Sequence, residues 1–297
     1  MKRNCPKLSC KSEKIIKDGS YFRRNDSRKI QRFVCKDCST KFSASTGTLE
    51  FKQKKRRVNE LLLSLFCAKV AQKRAARIAK VNKKTVARRF DYWARKAKIK
   101  NVRFNQKLRK SQVNHLQFDD LITKEKTKLK PATVTVAVDA KRRFILSSNV
   151  AQIPAFGHLA KLSKKKYGYR KSEHLTSLTN TFETLKPIVQ ACALIESDEH
   201  QNYNLFVRSY FPNSDYRQYK SQKATVAGQG ELKNKNYDPI FCINQTLAMM
   251  RDGISTFVRR TWCTTQSLKK LQGHLEIFIY YYNQRYLGGL SPRKGGG

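Results

Sequence analysis

The sequence predicts an α/β multidomain protein, and three observations carry that prediction. Four of the eight cysteines fall as two close pairs, Cys5/Cys10 and Cys35/Cys38. Apolar residues between Val58 and Ala97 recur at helical spacing, and beyond residue 113 β-branched runs alternate with helical stretches. A chain of 297 residues, 39% of them hydrophobic, is able to bury a sizeable core in more than one unit.

The charge balance says what such units meet. Sixty-three Lys and Arg against twenty-one Asp and Glu leave a net charge of +42, far more than solubility requires. Residues 1–118 hold +28 of it and residues 119–297 the other +14. A polyphosphate partner gains counterion-release energy from such a region, with affinity that falls as salt rises. No apolar run is long enough to span a bilayer, and the basic residues do not follow one amphipathic helix, so no membrane partner is expected. With no signal-peptide stretch after Met1-Lys2-Arg3, a cytoplasmic location is expected.

The first unit spans residues 1–50. Cys5 and Cys10, then Cys35 and Cys38, form two knuckles able to close on one ion, and the segment between them reads as strands turning at Asp18-Gly19. That is a zinc ribbon, in which tetrahedral thiolate coordination supplies the folding energy that so few residues cannot draw from a core. Disulfides are the alternative, disfavoured in a reducing compartment. Cys67, Cys192, Cys242 and Cys263 lie singly in apolar contexts and read as small buried hydrophobes.

The second unit spans residues 51–98. A broad apolar helix in "VNELLLSLFCAKVAQ" precedes a short one around Ala75, Ala76 and Ile78, a tight turn at Lys80-Val81-Asn82, and a helix marked by Val86, Phe90, Trp93 and Ala97. This is a helix-turn-helix. Its second helix presents Asn82, Lys83, Lys84, Thr85, Arg88 and Arg89 as DNA-binding candidates, where recognition helices meet base edges and phosphates. A plain protein-binding bundle has the same periodicity. Residues 99–112 are polar, basic and without a clean period, and read as a linker.

The third unit spans residues 113–290. "HLQFDDLIT" sets Asp119 and Asp120 within an apolar strand, where Asp is disfavoured. "ATVTVAV" and "RRFILSSNV" complete a three-stranded meander. A helix through "LTSLTNTFETL" then leads to the strand "ACALI", which ends at Glu196-Ser197-Asp198, with helices from Pro239 onward. This order is that of a ribonuclease-H-like mixed α/β domain, where the centre of the first strand and the end of the fourth lie side by side. Asp119 and Asp198 would then meet as hard oxygen ligands for Mg²⁺. Taken singly, Asp198 also reads as a helix N-cap and Asp120 as a solvent-facing strand residue.

The ordered set of motifs resembles the DDE-type transposases of insertion sequences, built from a zinc ribbon, a helix-turn-helix and a ribonuclease-H-like catalytic domain. The motifs that carry the resemblance are the four cysteines, "ARIAKVNKKTVARR", "FDDLITKEKTKLKP", "SDEHQNY" and "INQTLAMMRDGISTFVRRTWC". It covers nearly the whole chain. The resemblance implies Asp119 as the first catalytic carboxylate, Asp120 where relatives often have Glu, and Asp198 as the second. At the third position this chain departs from the pattern, with Asn244 where many relatives carry Glu. Asn244, Ala248 and Arg251 share one edge of a well-defined amphipathic helix, which makes Arg251 a phosphate-binding candidate. Asp252, about 100° around the helix from Arg251, is the competing third ligand.

By that resemblance the chain is a prokaryotic, nucleoid-associated enzyme. It binds the terminal inverted repeats of an element and uses two Mg²⁺ held by Asp119, Asp198 and Asn244 to cut beside them. The freed 3′-hydroxyl then attacks target DNA. Synapsis of two ends implies a homodimer or larger assembly. Two other readings remain: a DNA-binding regulator whose catalytic domain the Asn has silenced, and a nuclease without strand transfer. "YYY" at Tyr280 to Tyr282 lies in an apolar helix and reads as core, and the tail 291–297 as flexible.

Overall fold

A computed structural model describes residues 3–220, 238–258 and 263–289. The tail at 291–297 and residues 259–262 of the "VRRTWC" motif lie outside them. The chain is an α/β protein with a small antiparallel N-terminal sheet, a four-cysteine cluster, and a five-stranded mixed sheet with helices.

The small sheet holds β1 (Ile15–Arg23), β2 (Arg28–Cys35) and β3 (Lys41–Ser43), in that order. The turn expected at Asp18-Gly19 is instead a bulge inside β1, where the pairing slips between Lys17 and Ser20 and Gly19 takes φ +65°. Glycine serves a bulge as well as a turn, because both need a left-handed residue. The chain reverses at 24–27, closed by the Arg23–Asp26 ion pair at 2.6 Å with Ser27 at φ 53°.

Three helices follow, α1 (Val58–Phe66), α2 (Gln72–Ile78) and α3 (Lys83–Leu108). Between α2 and α3, Lys80 adopts φ 49° and the Val81 N–H returns to the Ala76 carbonyl at 3.0 Å, a left-handed stop that sets the tight turn. Asn82 then caps α3, its side chain accepting from the Lys84 N–H at 2.8 Å. The expected linker is different: residues 99–108 continue α3. Its buried stripe runs Val86, Phe90, Trp93, Ala97, Phe104, Leu108. The stripe is hidden in the sequence because polar Asn101 occupies the step after Ala97. Asn101 is satisfied by donating to the Glu276 carbonyl at 3.0 Å and to its carboxylate at 2.7 Å.

The large sheet has the order β6-β5-β4-β7-β8, with β4 (Val113–Lys124), β5 (Pro131–Asp139) and β6 (Ile145–Gln152) as an antiparallel meander. β7 (Val189–Asp198) joins β4 in parallel, and β8 (Asp215–Tyr219) joins β7 in parallel. Every residue of β5, between β4 and edge strand β6, is buried, as its β-branched run requires. Two further helices precede β7: α4 (Leu159–Tyr167), which the sequence pattern did not reveal, and α5 (His174–Leu185). After β7 come α6 (Tyr203–Tyr210), α7 (Phe241–Gly253) and α8 (Leu268–Tyr281). α5 and α6 cover one face, where Phe118 meets the rings of Phe182 at 5.4 Å and Tyr203 at 4.7 Å. α7 covers the other, and α8 shields edge strand β6. There Gln272 and Asn283 pair through their amides with the backbone of Ser148, Val150 and Ile145, blunting an edge otherwise open to strand addition.

α3 and α8 pack side by side, and Trp93 stacks on Tyr280. The Gly253 carbonyl at the end of α7 accepts from the Lys69 N–H at 2.8 Å, and a Cβ there would strike the Phe278 ring. One continuous buried cluster therefore runs from Leu62 to Leu287, joining the helical unit to the sheet. No helix among the described residues is long and apolar enough to cross a membrane.

Candidate functional site

Two sites emerge. In the first, the Cys5 and Cys38 sulfurs lie 3.5 Å apart, those of Cys10 and Cys35 3.8 Å apart, and all four ligand atoms fall within 4.8 Å of one another. Sulfurs at about 2.3 Å from a tetrahedral ion would be spaced in this way. The Thr40 hydroxyl, 3.1 Å from Cys38 Sγ, and then its backbone pull the Cys38 thiol down to about 6, so one thiolate is ready near neutral pH. The four sulfurs form a group suited to one structural metal ion.

The second site is built on β4 and β7. Successive strand residues face opposite ways, so Gln117 and Asp119 turn to α7 while Phe118 and Asp120 turn to α5 and α6. Glu196 pairs with Gln117 in the parallel register, and Asp198, two residues on, shares its face. Asp119 and Asp198 thus converge under α7. Burial first, then the negative charge of Asp198, pushes the Asp119 carboxyl up to about 8. Burial and the charge of Asp120 raise Asp198 as well. One oxygen of Asp198, Oδ1, is buried without a hydrogen-bond partner among the described residues.

Asp120 has a different role from its neighbour. It is ringed by donors: Thr135 Oγ1 at 2.6 Å, the Nε2 of His174, and the Tyr203 hydroxyl. Burial raises its pKa, but these bonds and the His174 charge outweigh that and hold it below the usual carboxylate range. Ser177 bonds Thr135 in turn at 3.0 Å, and His200 packs edge-on against the His174 ring at 4.9 Å. None of these partners was legible from sequence spacing, since His174 lies 54 positions from Asp120.

Gln117 sets the height of α7. The helix begins at Phe241, and Ile240 before it supplies no side-chain cap. Gln117 Oε1 accepts from the Ile243 N–H at 3.1 Å and its amide donates to the Pro239 carbonyl at 2.9 Å and to Glu196 at 2.8 Å. Glu196 is itself held by His115 at 2.6 Å and Tyr219 at 2.9 Å. This buried network docks the first turn of α7, on which Asn244 donates to Asp238 at 2.9 Å. Two turns on, the Arg251 charge lowers the Asp119 pKa, opposing the larger upward terms. Asp252 lies elsewhere, with a side chain 83% exposed and 3.3 Å from Lys69 Nζ.

Of the DNA-binding candidates, Asn82, Lys83, Lys84 and Arg88 are exposed and Thr85 is half-buried. Arg89 is buried, contrary to expectation. It neighbours Phe90 on the rim of the apolar stripe, and its guanidinium donates to the Lys54 carbonyl, tying the loop before α1 to α3. No protein-family model matches the chain, and no curated protein matches it.

Proposed function

We propose that the protein is a metal-dependent DNA transposase that cuts and joins DNA at the ends of a mobile element. The observation that carries this reading is the convergence of Asp119 and Asp198 from neighbouring parallel strands beneath the helix of Asn244 and Arg251. The sheet order, a meander whose first strand pairs in parallel with the fourth, supports a ribonuclease-H-like reading of the domain. Two half-buried carboxylates, each pushed toward protonation (Asp119 by burial and the charge of Asp198, Asp198 by burial and the charge of Asp120), one with an unpartnered oxygen, are a donor set that a divalent cation neutralises. Asp119, Asp198 and the Asn244 carbonyl would hold Mg²⁺, and bound Mg²⁺ supplies charge stabilisation at the phosphate under attack.

The chain's own residues do the rest. Arg251 holds a phosphate at the mouth of the site, and Asp120, fixed by His174, Thr135 and Tyr203, keeps β4 in place without serving as a ligand. The four cysteines hold structural Zn²⁺ in a ribbon, and Asn82, Lys83, Lys84, Thr85 and Arg88 grip double-stranded DNA from the start of α3. Both ends of an element, and so at least two copies of the chain, take part.

The test uses end-labelled duplexes carrying the sequences that flank the gene. The parent should nick and join them in Mg²⁺, and Asp119→Ala and Asp198→Ala should each lose at least a thousandfold in rate while still binding DNA. Undiminished activity in either variant overturns the site. Binding without cutting by the parent would leave the regulator reading.

A further inference from the structure

Between β6 and α5 the chain inserts residues 153–172, which carry six basic side chains and no acidic one. The insert contains α4, docked by the Ser163 hydroxyl on the Leu129 carbonyl at 2.7 Å, with Lys161, Lys164, Lys165 and Lys166 exposed along it. Where the insert passes β4 it leaves a groove of about 550 Å³. Ile122, Pro131, Phe156 and Leu159 line its apolar part, and Lys124, Lys128 and Arg251 its basic part. Asp120 also lines it. Phe156 is 61% exposed and Ile122 58%. What distinguishes these two from other exposed apolar side chains is that both line one groove, which Lys124, Lys128 and Arg251 also line.

We infer that this groove takes one unpaired nucleotide of the DNA strand entering the acidic centre, with the base against Phe156 and Ile122 and the adjoining phosphates on Lys124, Lys128 and the lysines of α4. The inference rests on the transposase reading and deepens it by naming the state of the DNA. Charge complementarity selects the occupant. A base-paired duplex offers the lysines its phosphates but keeps its base faces stacked, leaving Phe156 and Ile122 wet. An unstacked nucleotide offers a flat apolar face and an anionic backbone together, and stacking on an aromatic side chain is tolerant of base identity. Arg251 joins the two regions, since it lines the groove and its charge acts on Asp119.

The experiment measures binding of the full zinc-loaded chain without added divalent cation, so it does not depend on cleavage. Blunt duplexes are compared with duplexes of equal length bearing a three-nucleotide single-stranded overhang, labelled in the overhang with 2-aminopurine. The parent should prefer the overhang by about tenfold and quench the 2-aminopurine fluorescence. Phe156→Ala should remove most of that preference while leaving blunt-duplex affinity within twofold, Lys128→Ala should weaken binding of both DNAs alike, and Phe156→Trp should restore the preference. Equal affinity of the parent for both DNAs, or an overhang preference that survives Phe156→Ala, overturns the groove assignment alone. Failure of the parent to bind any of these DNAs overturns the DNA reading with it.

Discussion

Asp119→Asn protein should be inactive on DNA yet more stable than the parent when both are free of metal. The reason is the sign of the Asp119 shift. Its carboxyl is pushed up to about 8 in the folded chain by burial and by Asp198, against the ordinary value near 4 expected when unfolded. Below about pH 4 both states are protonated and the group costs nothing. Between about pH 4 and pH 8 the unfolded chain ionises and the folded one resists, so the parent loses stability with rising pH until the penalty levels off. Asn at 119 has no proton to lose. The thermal midpoint of the parent should therefore fall relative to the variant as pH rises across that window, by an amount on the order of a few kcal/mol in stability. Millimolar Mg²⁺ or Mn²⁺ should reverse the ranking at pH 8 by stabilising the parent alone. Parallel midpoints of parent and variant across pH would show that Asp119 is neither as buried nor as close to Asp198 as described.

The second large effect concerns the cysteine cluster. Among described residues before 51 the buried hydrophobic side chains are Cys5, Ile30 and Cys35, and two of these belong to the four-cysteine cluster. Without an ion such a segment has almost no core, whereas the cluster from Leu62 to Leu287 includes no residue of it. Elemental analysis of the parent should find one zinc equivalent, and Cys35→Ser should abolish its binding and unfold the ribbon. Limited proteolysis should then cut within the first fifty residues and leave a stable fragment containing α1 to α8. DNA affinity should drop more than tenfold, because structural zinc binding is itself folding energy. A zinc-free variant whose ribbon still resists protease would mean that the small sheet stands without metal.

What the sequence revealed follows from where its signals are local. Cysteine spacing located the cluster, and the β-branched run 132–138 located a strand buried throughout. The 3.6-residue stripe on α7 placed Asn244 and Arg251 on one edge. Signals that depend on tertiary partners were silent. Asn101 breaks the α3 stripe only until Glu276 is seen opposite it. Gly19 signals a left-handed residue without saying whether a turn or a bulge uses it. Lys-rich α4 shows little of the periodicity of a packed helix because its contacts are few, Ser163 being its one buried residue. Asp120, which taken singly reads as a solvent-facing strand residue, instead faces Thr135, His174 and Tyr203, partners that no local signal announces. Arg89 looked like part of a basic face because nothing in its neighbours announces the Lys54 carbonyl.

We propose that Asp119, Asp198 and Asn244 form one divalent-cation site beneath α7. Crystals of the full chain grown with Mn²⁺ test it most directly, through anomalous scattering from the metal. Manganese should be bound by the Asp119 and Asp198 carboxylates with Asn244 Oδ1 turned toward it, and Asp120 should still be held by His174. Manganese bound through Asp120 or Asp252 instead, or no manganese between the two strands at saturating concentration, would contradict it.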